Sequence, residues 1–360
     1  MTAIILLNWN GYKDTVECLA SLFACAKQDF VWVVVDNGSE NESVQEITDY
    51  LNRSGKDFSV VKEGERPAFS LQAGQGVVYC LNENYGFAQG NNRGIALVEQ
   101  LAENKDSQKP AHYLLLNNDT LVEPDFLEKL ETFAEKNPQY VALTPQIRYA
   151  EPRSRVWNCG GKMIFGLRKY HYGDQDFSAI KQKEYIKISL ITGCALFAKR
   201  ELLGNPDARL HKKSKKYAQT PPSPTEKTDL LTNRFFFGEE DFDFSLRMQE
   251  DGKKMACVLD SVIYHKEGGA RARFLSAGYL YMGHFNRFID VRQHWGSVKF
   301  FVWKQLYLPY IAFFLFSKNK MNLKEIVRYQ RKLRKESLIF EGVDKELFQK
   351  WIYEKNGTAL

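Results

Sequence analysis

The stretch Tyr113-Leu114-Leu115-Leu116-Asn117-Asn118-Asp119 decides how this chain is read. Its unbroken apolar run predicts a strand covered on both faces, as in the interior of a parallel sheet. The run then ends in two amides and an acid. Toward the N-terminus the same pattern recurs twice. Ala3-Ile4-Ile5-Leu6-Leu7 leads into Asn8-Trp9-Asn10, and Val31–Val35 leads into Asp36-Asn37-Gly38-Ser39. Helical stretches are predicted at Tyr12–Ala26, Ser43–Asn52 and Phe87–Glu103, with a further strand at Val77–Leu81 after a glycine-rich segment. Pro124 is expected in the first turn of the next helix, where a missing N–H costs nothing. This alternation predicts an α/β fold with a mostly parallel sheet flanked by helices. Ligands of such sheets bind beyond the carboxyl ends of the strands, so the three polar ends predict one shared site.

The 360 residues, 44% of them hydrophobic, suffice for one large α/β domain and an appendage. Six cysteines (Cys18, Cys25, Cys80, Cys159, Cys194, Cys257) are scattered without a C-x-x-C pair. That argues against a zinc ribbon or a disulfide framework and predicts buried thiols in a reducing cytosol. The first strand follows the N-terminus with no basic leader, so no signal peptide is expected. The net charge of +6 is unevenly spread: from Lys266 onward 18 Lys and Arg face 8 Asp and Glu, leaving −4 on the rest. A basic tail on an acidic body points to an anionic membrane surface, rather than nucleic acid, as partner; a merely solvated basic helix fits the same pattern.

Several segments carry chemistry. Asp36 is either a turn residue or a carboxylate for a nucleobase or ribose, and taken alone the turn accounts for it. Asn84-Tyr85-Gly86-Phe87-Ala88-Gln89-Gly90-Asn91-Asn92-Arg93-Gly94 opens a helix but matches neither a dinucleotide fingerprint nor a phosphate loop. It holds more amides and glycines than a helix cap needs. Asp119 alone would hold a divalent cation weakly, and His265, ending Val262-Ile263-Tyr264, is a candidate second ligand. In Gly238-Glu239-Glu240-Asp241-Phe242-Asp243 four carboxylates crowd five positions. A helix N-terminus offsets part of their repulsion, and one of them is suited to serve as a general base. Between Asn205 and Asn233 a Lys-, Pro- and Ser-rich composition predicts a flexible loop.

Taken in order, these segments resemble the large family of inverting glycosyltransferases with the GT-A fold, in particular its rhamnosyltransferase-like bacterial branch. The resemblance runs over residues 3–295, through the strand ends, Thr192-Gly193-Cys194-Ala195, the acidic motif, His265 and Tyr281 to Asn286-Arg287. It implies a donor nucleotide pocket from Asn8, Asn10, Asp36, Asn84, Gly86, Asn91, Asn117 and Asn118. It implies Mg²⁺ or Mn²⁺ on Asp119 and His265, with Asp241 as catalytic base. Gly193, Glu240 and Asp243 would lie near the acceptor or donor sugar. Asn117 stands where many relatives carry aspartate, and the 205–233 insertion, where the connection is short in relatives, suggests a lid or acceptor loop. The implied reaction moves a hexosyl or deoxyhexosyl unit from a nucleotide diphosphate to a glycan or polyprenyl-linked hydroxyl, in polysaccharide or lipopolysaccharide assembly. Competing readings are a sugar nucleotidyltransferase, which would need a basic glycine-rich loop after the first strand, and a catalytically silent carbohydrate-binding or scaffold protein.

The expected division is a catalytic domain over 1–270 and a helical extension over 271–360. Phe300–Phe316 is apolar and aromatic but interrupted by Lys304, Gln305 and Pro309, and short for a membrane span. It predicts an interfacial element with Trp295, Trp303, Tyr307 and Tyr310 at headgroup level, followed by a basic amphipathic helix over Leu323–Lys335. Packing of these helices on the catalytic body or on a second subunit is the alternative. The expected location is cytoplasmic, peripheral on the inner membrane face.

Overall fold

The computed structural model describes residues 1–67, 69–104, 107–180, 183–208, 225–266 and 277–353. The central sheet begins with β1 (Thr2–Asn8), β2 (Phe30–Asp36), β3 (Phe58–Lys62), β4 (Gly76–Cys80) and β5 (His112–Asn117). These five are parallel where they pair, in the spatial order β5-β1-β2-β4-β3. Helices α1 (Tyr12–Phe23), α2 (Ser43–Arg53) and α3 (Phe87–Leu101) connect them. Each helix is amphipathic and lays Leu and Ile side chains on the sheet. Ile4, Leu6, Val34 and Leu114 fill one side, while Ile5, Val33, Val35 and Leu115 fill the other. Burial on both faces is what the unbroken apolar runs require.

Beyond β5 the sheet turns mixed. After β6 (Thr120–Val122) and α4 (Phe126–Lys136) come the long β7 (Tyr140–Tyr149), β8 (Val156–Asn158), and the separate hairpin β9 (Gly161–Ile164) and β10 (Leu167–Tyr170). Strands β11 (Tyr185–Ile188), β12 (Ala195–Lys199) and β13 (Lys254–His265) complete it. β12 lies antiparallel between β5 and β7, and β13 runs parallel to β7. Helix α4 starts at Phe126, so Pro124 precedes the helix instead of opening it.

Helix α5 (Glu240–Glu250) carries the acidic motif, and four more helices follow: α6 (Ala277–His294), α7 (Ser297–Ser317), α8 (Leu323–Glu336) and α9 (Lys345–Tyr353). One apolar cluster joins Phe242 and Leu246 of α5 to Phe285, Phe288, Trp303, Tyr307 and Tyr329. Two of the four aromatics expected at headgroup level thus turn inward: Trp303 and Tyr307 are buried, and the Trp303 indole N–H donates to the Phe165 carbonyl at 3.1 Å. A helix apolar all round carries no pattern that tells its core face from its outer face. Of the loop expected over 205–233, residues 209–224 lie outside the described residues. Its two ends meet, with Gly204 N–H donating to the Asp229 carbonyl at 3.0 Å. All six cysteines are free, and five of them are buried.

Gly76 tests this packing. A Cβ there would sit 2.0 Å from the buried Trp32 indole. Gly76→Ala is expected to destabilise the protein by about 1–3 kcal/mol through overpacking, measured as a lower urea midpoint at unchanged slope.

Candidate active site

The three polar strand ends share one edge of the sheet, since Asn8 is in register with Asp36, and Leu7 with Asn117. Asn8 and Asp36 are buried and bonded to each other: Asn8 Nδ2 donates to Asp36 Oδ1 at 2.8 Å. Ser39 donates from its hydroxyl to Oδ1 and from its backbone to Oδ2. Asn8 Oδ1 accepts from the Gly11 N–H and the Thr15 hydroxyl, and Asn118 Nδ2 donates to that same hydroxyl at 2.9 Å. Asn10 is exposed at the mouth in a left-handed conformation, its Oδ1 accepting from Glu40 N–H.

The amide-rich segment is fastened from both sides. Asn37, which no sequence argument singled out, donates to Asn84 Oδ1 and the Gly86 carbonyl and accepts from Tyr85 N–H. Gly86 has φ +84°, and a Cβ on it would fall 2.1 Å from the Phe236 carbonyl, which accepts from Phe87 N–H. Asn91 bonds back to the Phe87 carbonyl within α3. Asn92 reaches away, accepting from Leu230 and Leu231 N–H and donating to the Leu231 carbonyl. The surplus of amides therefore joins α3 to the segment that leads into the acidic motif.

Asp119 and His265 meet directly, with Oδ1 and Nε2 3.2 Å apart. The backbone fixes them: β6 starts one residue after Asp119 and pairs His265 with Thr120, and Lys266 N–H donates to the Asp119 carbonyl. The Trp157 ring packs on the imidazole at 4.6 Å. Asp119 Oδ1 and His265 Nδ1 are buried without a hydrogen-bond partner among the described residues. Two adjacent ligands of a cation at about 2.1 Å lie about 3 Å apart, so this pair fits a small divalent ion. Another group of metal-capable atoms, Asp243, Asp290 and His294, lies within 4.8 Å of one another. The Arg234 guanidinium already contacts Asp243 and Asp290 there, so this group reads as a buried ion-pair network.

The crowded carboxylates are separated by their partners. Glu239, in a left-handed conformation, is gripped by Arg287 and approached by Arg168; burial opposes its ionised form, but both guanidiniums hold its pKa below the usual value. Asp243 is paired with Arg234, Arg247 and His294, which outweigh burial and keep it ionised. Glu240 takes a hydrogen bond from Gly238 N–H, but burial, with Asp241 and Glu239 adjacent, pushes it up to about 8. Asp241 is left facing the strand ends. Gly193 N–H donates to its Oδ2 at 3.3 Å, and the carbonyl of the next residue, Cys194, accepts from Asn117 N–H at 2.9 Å. One turn, Gly193-Cys194, thus joins the position 241 carboxylate to the strand end that carries Asp119.

Arg168, on the β9–β10 hairpin, forks onto Asp241 with contacts of 2.7 and 3.2 Å. No sequence signal pointed to it, because a four-residue strand has no motif. Arg287 and Asn286 had been quoted only as part of a segment after the catalytic region. Asn286 donates to the Phe237 and Gly238 carbonyls, and Arg287 to the Gly166 carbonyl, so helix α6 clamps both the acidic motif and the hairpin.

Glu240 gives a pH test. Below its ordinary value of 4.5 both folded and unfolded chains hold the proton. Between 4.5 and about 8 only the folded chain keeps it, so stability falls as pH rises through this window and levels off above it. Glu240→Gln removes the dependence. The melting temperature of the variant relative to wild type is expected to rise from pH 5 to pH 8, followed by thermal denaturation at intermediate pH.

A family model described as "Glycosyltransferase like family 2" matches residues 71–276. Among solved structures, S. aureus TarS (residues 1–349) is similar at 13% identity, covering 98% of this chain and 81% of that chain, with a TM-score of 0.46. No curated protein matches.

Proposed function

The chain belongs to glycosyltransferase-like family 2, and we propose that it is an inverting, divalent-cation-dependent enzyme with Asp241 as its base. Its donor is a nucleotide-diphosphate hexose or deoxyhexose, and its acceptor a hydroxyl of a glycan or polyprenyl-linked intermediate in cell-surface polysaccharide or lipopolysaccharide assembly. In this reading the reaction takes place at the cytoplasmic face of the membrane. The observation that carries this reading is the pairing of Asp119 with His265, joined through the Gly193-Cys194 turn to Asp241.

A Mg²⁺ or Mn²⁺ ion on Asp119 and His265 supplies positive charge for the leaving diphosphate when bound. Asn8, Asp36 and Asn84 shape the floor beneath the nucleotide, with Asn10, Gly86, Asn91, Asn117 and Asn118 around it. Asp241 accepts the proton of the attacking hydroxyl, while the acceptor oxygen bonds to C1 and the C1–diphosphate bond breaks, in one step with inversion. Arg168 now fills the fork of that carboxylate, so the hydroxyl must take its place at one oxygen. Glu240, neutral at pH 7, and the paired Asp243 hold the helix beneath the base near the sugars.

Thermal shift and donor turnover against UDP-, GDP- and dTDP-sugars, with and without Mn²⁺, test this reading. Asp241→Asn is expected to lose at least about 10²-fold in transfer, in the range of general-base contributions, while keeping the Mn²⁺-dependent thermal shift. Asp119→Asn is expected to lose that shift. An Asp241→Asn protein with unimpaired transfer would end the assignment.

A further inference from the structure

Helix α7 is long and apolar enough, by length and composition, to cross a membrane. It is not free to do so. Phe300, Trp303, Tyr307, Leu308, Ile311 and Leu315 are buried against the other C-terminal helices. The opposite face is what stands out. Val298, Phe301, Leu306, Tyr310, Phe313 and Phe316 recur at helical spacing and are exposed; the exposed charge among them is Lys299, near the N-terminal end, and Lys304 is half-buried. Val298 is 80% exposed, Phe313 70% and Leu306 61%. At 1.5 Å per residue this largely apolar stripe runs roughly 27 Å along the surface. Isolated exposed apolar residues need no explanation, but a contiguous stripe of this length marks an interaction surface.

The flanks of the stripe identify its occupant. Lys318, Lys320, Lys324, Arg328 and Arg331 are exposed beyond its C-terminal end and along α8, and none has an acidic partner among the described residues. The acids of α8 are used internally: Glu325 closes the capping box with Asn322, and Glu336 accepts from the Tyr281 hydroxyl. Leu323 and Val327 carry the exposed apolar surface onto α8 between the basic residues. An apolar strip whose exposed flanking charges are predominantly basic complements anionic headgroups over acyl chains.

The β9–β10 hairpin extends the surface toward the catalytic side. Its two-residue turn places Phe165 at φ +47°, a left-handed conformation that a bulky residue adopts only at a cost. Phe165 and Ile164 are nonetheless exposed at the tip, and the Phe165 ring packs on Trp295 beside the start of α7. Trp303 and Arg287 hold the turn carbonyls, and two residues past Gly166, Arg168 reaches Asp241.

We infer that the outer face of α7, the Ile164–Phe165 hairpin tip and the basic border on α8 form one docking surface for an anionic bilayer, on which α7 lies in the membrane plane. The docking stands on these surface residues alone. That it brings a lipid-anchored acceptor to Asp241 rests on the transferase reading above.

The test uses the full chain and flotation with vesicles of phosphatidylcholine alone or with 30% phosphatidylglycerol. Wild type is expected to float with the anionic vesicles and stay down with the neutral ones. Phe301→Glu/Phe313→Glu, at exposed positions, is expected to lose at least tenfold in partitioning at unchanged melting temperature. Lys324→Glu/Arg328→Glu/Arg331→Glu is expected to lose the phosphatidylglycerol dependence. The proposal is overturned if wild type floats with neither vesicle, if the aromatic pair variant floats like wild type, or if light scattering shows a dimer that this variant dissociates. Thermal shift with the sugar-nucleotide panel separates the two ideas: no donor response in any protein counts against the transferase reading and leaves the flotation result standing.

Discussion

Everything in this molecule is arranged around the repulsion among four carboxylates at one helix start. A helix N-terminus offsets only part of such a charge. The rest is handled by giving each acid a different fate: Glu239 a guanidinium from α6, Glu240 a proton, and Asp243 a buried network reaching α6 through Arg234 and Asp290. Asp241 alone turns toward the strand ends, under an arginine from a hairpin and a backbone N–H. The same arrangement ties the C-terminal helices to the acidic motif. They supply Arg287, His294 and the Asn286 amide to the motif, Arg168, Arg234 and Arg247 coming from elsewhere, and one apolar cluster spans the junction.

The hairpin links Asp241 to the periphery. Its turn carbonyls are held by Trp303 and Arg287, so the position of Arg168 depends on the packing of α6 and α7. Such positional control by remote packing is a common way to keep a reactive group in register.

Local signals in the sequence carried the first half of the fold. Continuous apolar runs can hardly be anything but strands buried on both faces, and β1, β2, β4 and β5 were legible for that reason. The mixed half was not: β12 sits between β5 and β7 through long-range pairing that no local pattern encodes. Of the site, Asp119, His265 and Asp241 were named from their places after strands and in the acidic motif, together with the family resemblance. Arg168 was invisible because its meaning lies wholly in what faces it. The amides of the α3 entry stand out in the sequence without revealing their role, since their partners lie more than a hundred residues away in Asn92's case and 47 residues away in Asn84's. Trp303 and Tyr307 were misassigned because α7 is apolar on every side.

The bridge between Gly204 and Asp229 has a practical consequence. It closes the described chain on either side of residues 209–224, and Asn92 fastens the segment just after it. Lengthening a segment whose ends are already joined costs little entropy, since closure grows only with the logarithm of length. An insertion between the two flanks therefore adds little closure cost, provided that Asp207 and Asp229 keep their bonds.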